Sequence, residues 1–376
     1  MTRRRISMSD IVIGAPLQWN IYDAENKLLL RKEFIIESEE QIETLLARGL
    51  FSEAPTSSSS SPPPINRQVD KPSALRLINQ ANKRLGRLLY NLPNETELES
   101  KIMEVGVEIK RAVEINEQVA LGSIILNRAV IAYPVRHCVD TAILSLLAAR
   151  SLKMPEAEID IVLAAALTMN AGMLHQQEQL QRKAGVLGDE DKNIIKTHPQ
   201  VGIRLLKQAG VKNDSWLLTV LMHHENEDGS GYPLGKTGVK IPLGAKIISI
   251  ADRYCASISP RGYRKSLLPS VAMRNVFLDE KQNIDQSLAT VFMQVLGMYP
   301  AGVFVKLING EVSVVTGQGD VMKTPIVHSL LGSNGAKLAF PISRNTARSI
   351  YAIQDNVDEI TIPINMQTLW GEDASL

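Results

Sequence analysis

Apolar positions in the middle of the chain are spaced as in amphipathic helices. Two stripes, each confined to one helix face, predict a pair of helices before residue 122. Their members are Leu75, Ile78, Leu85, Leu88 and Leu89 in the first stripe, and Leu98, Ile102, Val105, Ile109 and Val113 in the second. Neither stripe carries a chemical cluster, so these helices either pack on the following domain or form a dimer seam.

Strand-like patterns occur only towards the two ends of the chain. Leu17–Tyr22 and Lys27–Leu30 predict a hairpin, and a capping-box pattern at Ser38 predicts a helix ending near Gly49. Near the other end, Gly302–Leu307 and Glu311–Val315 flank an Asn-Gly turn, which predicts a second hairpin. Ile360–Ile364 is a further strand candidate.

A run of serines and prolines, Ser57–Pro64, predicts a linker because it has almost no apolar residues to bury. We therefore expect a mainly α protein with a small N-terminal α/β module and a short C-terminal β segment. The expected division is a regulatory module at 1–53, a linker at 54–73, paired helices at 74–122, a helical domain at 123–300 and a β-containing extension at 301–376.

Composition narrows the possible partners and compartment. The 41 Lys+Arg and 40 Asp+Glu residues nearly cancel, which gives no global reason to expect DNA binding. The two cysteines, Cys138 and Cys255, are too few for a disulfide framework. Polar residues interrupt the apolar run after Arg3–Arg5, and the stretch Ile161–Met169 is about half a membrane span. We expect a cytoplasmic protein without a membrane span.

The candidate chemistry lies in histidines and carboxylates of the helical region. The candidate metal ligands are His137, His198, His223, His224 and Asp252. Imidazole and carboxylate groups suit iron, manganese, nickel or zinc, and a helical bundle can aim them inward. On a helix, adjacent histidines point about 100° apart, so one of the pair is expected to face the site and the other a neighbouring helix. Taken alone, each histidine is more often a hydrogen-bonded structural residue of a helical core.

The eleven residues from His223 to Pro233, HHENEDGSGYP, resemble the signature of the HD-GYP domain, a subclass of the HD metal-dependent phosphohydrolases. The resemblance covers about Asn127 to Gly310. Its flanking blocks, in chain order, are His137, Lys183–Leu187, His198-Pro199, Ile241–Leu243, Ile250–Asp252, Arg261–Arg264 and Tyr299–Gly302.

This resemblance implies an HD-type helical bundle and a role in bacterial signal transduction. HD-GYP domains are phosphodiesterases that hydrolyse cyclic di-GMP with two or three metals, typically iron or manganese, which activate a hydroxide. By the family pattern His198, His223 and His224 surround one metal position, while His137 and Asp252 belong to another.

The sequence departs from the family at its defining pair. Where the family has a segment like Leu-Leu-His-Asp-Ile-Gly-Lys, residues 167–173 read LTMNAGM. Met169, Asn170 and Met173 therefore replace the histidine, the aspartate and the lysine. Asn170 lacks the bridging anion, Met169 is a soft thioether and Met173 offers no cation. We expect a degenerate active site in which no residue is assigned as catalytic.

The glycine-rich loop keeps its family pattern. Gly229, Gly231 and Pro233 are expected to shape a turn that exposes backbone N–H groups to a phosphate, with Asp228 and Tyr232 beside it. Arg261 and Arg264 are candidate phosphate partners, and a plain surface role for both is equally compatible with the sequence.

Three functions follow from these observations. The first is a non-catalytic HD-GYP signalling protein that binds cyclic di-GMP, another cyclic dinucleotide or a partner protein. The second is a residual metal-dependent cyclic di-GMP phosphodiesterase that uses the surviving histidines and aspartate. The third is an interaction scaffold, in which the paired helices form a homodimer. The cofactor expected is one iron or manganese ion at the three-histidine position, with a metal-free core as the alternative.

Overall fold

The computed structural model describes residues 3–5, 17, 20–22, 28–30, 32, 34, 51–53, 72–128, 131–183, 185–260, 266–279, 283–357 and 363–376. The chain divides into two compact units, Met1–Val69 and Asp70–Leu376.

The N-terminal unit contains a small antiparallel sheet with strand order β1-β4-β2-β3. Its strands are β1 Arg3–Arg5, β2 Ile21–Tyr22, β3 Leu28–Leu30 and β4 Phe51–Glu53. The pairing of Ile21 with Leu30 confirms the predicted hairpin. The predicted helix between Ser38 and Gly49 lies outside the described residues.

The second unit is mainly helical. Its α-helices are α1 Ala74–Tyr90, α2 Leu98–Ile115, α3 Glu117–Leu126, α4 Tyr133–Ser151, α5 Glu156–Thr168, α6 Leu174–Arg182, α7 Asp189–Gln208, α8 Asp214–Met222, α9 Leu243–Ile258, α10 Pro269–Arg274, α11 Gln286–Leu296 and α12 Met366–Trp370. A 3-10 turn, Ala171–Met173, joins α5 to α6.

Both predicted apolar stripes are buried, and they join one core with the helices that follow. Ile102, Val105 and Ile109 of α2 are fully buried in the same cluster as residues of α4, α5 and α9. The expected linker extends too far, because Ser73 accepts a hydrogen bond from the backbone of Arg76 and caps α1. Polar capping of this kind satisfies a backbone N–H group that the first helical turn leaves unpaired.

The C-terminal β region is larger than the short segment expected. It is a five-stranded antiparallel sheet with order β8-β7-β6-β5-β9. The strands are β5 Phe304–Leu307, β6 Val312–Gly317, β7 Ile326–Leu331, β8 Lys337–Asn345 and β9 Ile353–Asn356. The predicted hairpin is confirmed as β5–β6. The candidate strand Ile360–Ile364 lies largely outside the described residues.

Among the described residues, one helical stretch, Glu156–Arg182, is long and apolar enough to cross a membrane by length and composition. Its most apolar window is 72% buried inside the protein. The stretch is divided into α5, the 3-10 turn and α6, and α5 packs against α4. This burial is typical of a core helix.

Candidate metal and ligand site

The candidate metal ligands converge from four helices of the second unit. His137 lies on α4, His198 on α7 and Asp252 on α9, while His223 caps the C-terminus of α8 and His224 follows it. Neighbours on an ideal helix would diverge, but α8 ends before His223 and His224 and both rings lie on the same side. Their ring centroids lie 4.1 Å apart, and both rings lie about 5 Å from that of His198.

The imidazoles of His198 and His223 point their unprotonated nitrogens at each other. Nδ1 of His198 lies 2.7 Å from the carbonyl oxygen of Ile195, and Nδ1 of His223 lies 2.6 Å from that of Val220. A carbonyl oxygen only accepts, so each Nδ1 carries the proton and each neutral ring leaves a lone pair on Nε2. The two Nε2 atoms are 3.3 Å apart.

Burial keeps this cluster in the uncharged form. Burial, followed by the charge of His223, lowers the pKa of His198 to about 3. Burial also lowers the pKa of His223, and burial with the two neighbouring histidines holds the pKa of His224 well below its usual value. Neutral imidazoles at ordinary pH are the form that binds metal ions.

The three histidines fit a divalent metal ion. Their ligand nitrogens all lie within 4.8 Å of one another. Two nitrogens bound at 2.0–2.1 Å to one tetrahedral ion are about 3.4 Å apart, close to the separation of the two Nε2 atoms. The backbone carbonyls that hold Nδ1 of His198 and His223 are the kind of outer partner that orients a metal-binding imidazole.

Asp252 forms a separate hydrogen-bonded pair with His137 beside this cluster. Its Oδ1 lies 2.6 Å from Nε2 of His137, and its Oδ2 lies 4.0 Å from Nδ1 of His224. Burial alone would raise the pKa of the Asp252 carboxyl. The hydrogen bond and charge of His137 outweigh burial and hold that pKa well below its usual range. The aspartate is therefore an anion, and one of its oxygens is already engaged by His137.

The three replaced positions take up different environments. Asn170 and Met173 line a cavity of about 270 Å³ together with His137 and Asp252. Met169 is fully buried in the apolar core and is not among the residues that line this cavity. Gly172 packs its backbone against α7, where a Cβ atom would clash with the carbonyl oxygen of His198. The 3-10 turn Ala171–Met173 is therefore held against α7, the helix that carries His198, although the side chains of the turn are neutral.

The cavity is lined by two groups of residues, which we call the charged wall and the neutral wall. The charged wall has His137, His224, the Asp252 carboxylate and the Arg253 guanidinium. The neutral wall consists of Asn170, Met173, Gln177, Leu180 and Gln181. Arg253 is the single lysine or arginine among the described residues that line the cavity, and it donates to Oδ1 of Asn226. Sequence reasoning missed Arg253, since its only signal is the position directly after Asp252.

The glycine-rich loop forms the predicted tight turn but does not expose its amides as expected. Gly229 has φ +81°, and a Cβ atom at Gly231 would lie 2.5 Å from the carbonyl oxygen of His224. The amides of five residues donate to acceptors within residues 224–236, so they face the loop's own interior. These amides belong to Gly229, Ser230, Tyr232, Leu234 and Lys236. Asp228 is exposed and accepts from Ser230, while Pro233 follows a cis peptide bond.

The loop reaches the site through one aromatic contact. The ring of Tyr232 stacks on His224, with centroids 4.7 Å apart and an angle of 29°. Glu225, which is buried, fixes this arrangement because its carboxylate accepts from the backbone of Leu234 and Lys236. Arg261 and Arg264, the predicted phosphate partners, lie outside the described residues.

Comparison with known proteins decides the family of the central helical segment. Residues 123–288 match the HD domain family. The central segment is an HD domain.

Two curated relatives of this HD domain are named cyclic di-GMP phosphodiesterases. One, from Pseudomonas aeruginosa, is 30% identical over 55% of this chain and 50% of that protein. The response regulator RpfG of Xanthomonas campestris pv. campestris is 33% identical over 37% of each chain. These relatives confirm the HD-GYP resemblance. The chain matches half or less of the length of these two proteins.

Among solved structures, an HD-GYP-type protein from Bdellovibrio bacteriovorus shares 16% identity with this chain, with a TM-score of 0.48. That match covers 78% of this chain and 99% of the other.

Proposed function

We propose that this protein is a non-catalytic signalling receptor whose HD domain binds cyclic di-GMP. The observation that carries the proposal is the contrast within one cavity. His137, His224 and Asp252 line the cavity, and His224 also belongs to the three-histidine cluster and stacks on Tyr232. Asn170 and Met173 line the same cavity with neutral side chains. The relatives named as cyclic di-GMP phosphodiesterases support the choice of ligand.

One iron or manganese ion at His198, His223 and His224 is part of this proposal. When bound, such an ion would polarise a phosphate oxygen as a Lewis acid. The protein's own contribution is to hold the three rings by backbone carbonyls and by the stacking of Tyr232 on His224. Arg253 adds positive charge to the same wall, which favours a phosphate diester.

Hydrolysis by the two-metal route is disfavoured by the residues beside that site. A second metal needs anionic bridging oxygens, and Asn170 offers only a neutral amide. The remaining anion, Asp252, is hydrogen-bonded to His137 at 2.6 Å. Removing one preorganised electrostatic group typically costs about 10²–10³ in rate. The two such losses in this cavity, at Asn170 and Met173, favour binding without turnover.

Calorimetric titration of cyclic di-GMP into the full chain loaded with Mn(II) tests this function. We expect micromolar binding that is lost in His224→Ala, because that ring belongs to both the histidine cluster and the stack with Tyr232. His175→Ala, an exposed histidine outside the cavity, should bind as the wild type does. Absence of heat with cyclic di-GMP, with and without metal, would overturn the proposal.

A residual phosphodiesterase is the second candidate, favoured by the three convergent histidines. It predicts slow product formation that His223→Ala abolishes. If His223→Ala left product formation unchanged, the activity would come from another site, and this result would exclude the candidate.

A further inference from the structure

The neutral wall of the ligand cavity is a single stripe along the turn and helix that follow α5. Residues 170, 173, 177 and 180 are spaced three or four apart and residue 181 lies four after 177, so they share one side. All five line the cavity, and they are Asn170, Met173, Gln177, Leu180 and Gln181. The stripe offers amide groups and apolar surface, which are suited to an uncharged part of a ligand.

Gln177 is the member of this stripe with an unmet hydrogen-bonding need. The residue is only 7% exposed, and its Oε1 is buried without a hydrogen-bond partner among the described residues. Leaving a buried acceptor unpaired is unfavourable, because the group gives up its hydrogen bonds to water without a replacement. Buried polar groups without a protein partner in a cavity wall are the groups that a ligand can satisfy.

In the orientation of the Gln177 amide in this structure the orphan atom is an acceptor, which pairs with a donor group of a ligand. A phosphate diester presents only acceptor oxygens, so it cannot pair with Oε1. A guanine presents donors, among them the exocyclic N2 amino group. Arg253, on the charged wall, is the complementary group for the phosphate.

We propose that Gln177 is a specificity-determining residue that accepts a hydrogen bond from a guanine base of the bound dinucleotide. This inference rests on the proposed function, because it assumes that a cyclic dinucleotide occupies the cavity. With about 270 Å³, the cavity is near the lower end of ligand pockets and takes about one nucleotide half, the base against α6 and the phosphate against α9.

The test compares Gln177→Leu with Gln176→Leu, a neighbouring exposed position on α6. Calorimetry of the full chain with Mn(II) should show cyclic di-GMP affinity about tenfold weaker or more in Gln177→Leu, as for a lost hydrogen bond in a buried site. Gln176→Leu should match the wild type. Metal content should stay unchanged in both variants.

A second ligand distinguishes recognition of the guanine base by Gln177 from a structural effect of the Gln177→Leu substitution. Cyclic di-IMP lacks the exocyclic amino group, so it should bind the wild type more weakly than cyclic di-GMP does. The Gln177→Leu variant should bind the two ligands equally, because it has lost the acceptor. The melting temperature of Gln177→Leu should be equal to or above that of the wild type, since an unpaired buried amide is removed. Gln177→Met, closer in shape, repeats the comparison if leucine disturbs folding.

The outcomes distinguish the two proposals. If the wild type binds cyclic di-GMP and Gln177→Leu binds it equally well, Gln177 does not read the base, and the proposed function stands. A lower melting temperature with unchanged discrimination between the two ligands would also overturn the inference and make Gln177 structural. If the wild type binds no cyclic dinucleotide, the proposed function fails and this inference fails with it.

Discussion

The Nε2 atoms of His198 and His223 lie 3.3 Å apart in a buried site, and neither carries a proton in the neutral ring. Two lone pairs at this distance repel each other unless a cation or a shared proton lies between them. Because burial lowers both pKa values, a metal ion is the cation that best suits this arrangement near neutral pH.

Metal stoichiometry should therefore be one ion per chain. We expect one equivalent of Mn(II) or Fe(II) by elemental analysis after anaerobic loading, and its loss in His223→Ala. His137→Ala is the control, because His137 pairs with Asp252 outside the three-histidine cluster. Two equivalents in the wild type, or retention of metal by His223→Ala, would contradict this assignment.

Asn170→Asp should allow a second metal ion to bind. The side chain lines the cavity with His137 and Asp252, so an added carboxylate would supply the anion that a two-metal site needs. The measurement is metal content at increasing Mn(II), compared with Asn193→Asp on the exposed surface of α7. An unchanged stoichiometry in Asn170→Asp would show that the neutral amide is not what excludes the second ion.

Gly231→Ala should displace the loop that carries Tyr232. A Cβ atom there would lie 2.5 Å from Glu225 Cα and from the carbonyl oxygen of His224, so the backbone has to shift. Such overpacking typically costs about 1–3 kcal/mol, and we expect cyclic di-GMP affinity to fall by about tenfold. Gly188→Ala, where the nearest atom is 3.7 Å away, is the matched control. Equal affinity in both variants would mean that the loop does not shape the site.

Asp140 should make folding stability fall as pH rises. Burial raises the pKa of this carboxyl to about 7, although Arg136 and Arg128 oppose the shift. The folded state therefore binds the proton more tightly than the unfolded chain, and stability is lost between about pH 4 and about pH 7.

The Asp140→Asn substitution removes the carboxyl group that binds this proton. Relative to Asp140→Asn, the wild type should lose up to about 1.4 kcal/mol of unfolding free energy per pH unit across that window. Urea unfolding at several pH values measures the difference. Ser145→Ala, a buried position on the same helix that carries no titratable group, is the control and should differ from the wild type by a constant amount. A constant difference between the wild type and Asp140→Asn would contradict the assigned pKa.

The helical core and the identity of the site could be predicted from the sequence because their signals are local. The stripe from Leu98 to Val113 has helical spacing, and the HHENEDGSGYP run is contiguous. The sequence patterns of strands β7 and β8 are weaker indications of a strand. Six of the nine residues of Lys337–Asn345 are exposed, and Pro341 interrupts the strand, so little alternation marks it.

The errors at the site arise from tertiary geometry. The end of α8 at Met222 turns His223 and His224 to the same side, which spacing on an ideal helix does not show. The loop amides are internally paired because Glu225 is buried beneath them. The cavity role of Gln177 depends on how α6 packs, and no motif marks it.

The central claim is that the site binds without catalysing, and a turnover assay tests it most directly. The purified chain with Fe(II) or Mn(II), under anaerobic reducing conditions, would be incubated with cyclic di-GMP, and the products would be separated by chromatography. We predict that cyclic di-GMP remains intact while calorimetry on the same sample shows binding. Formation of the linear dinucleotide or GMP that disappears in His223→Ala would contradict the account and show that the remaining histidines still support hydrolysis.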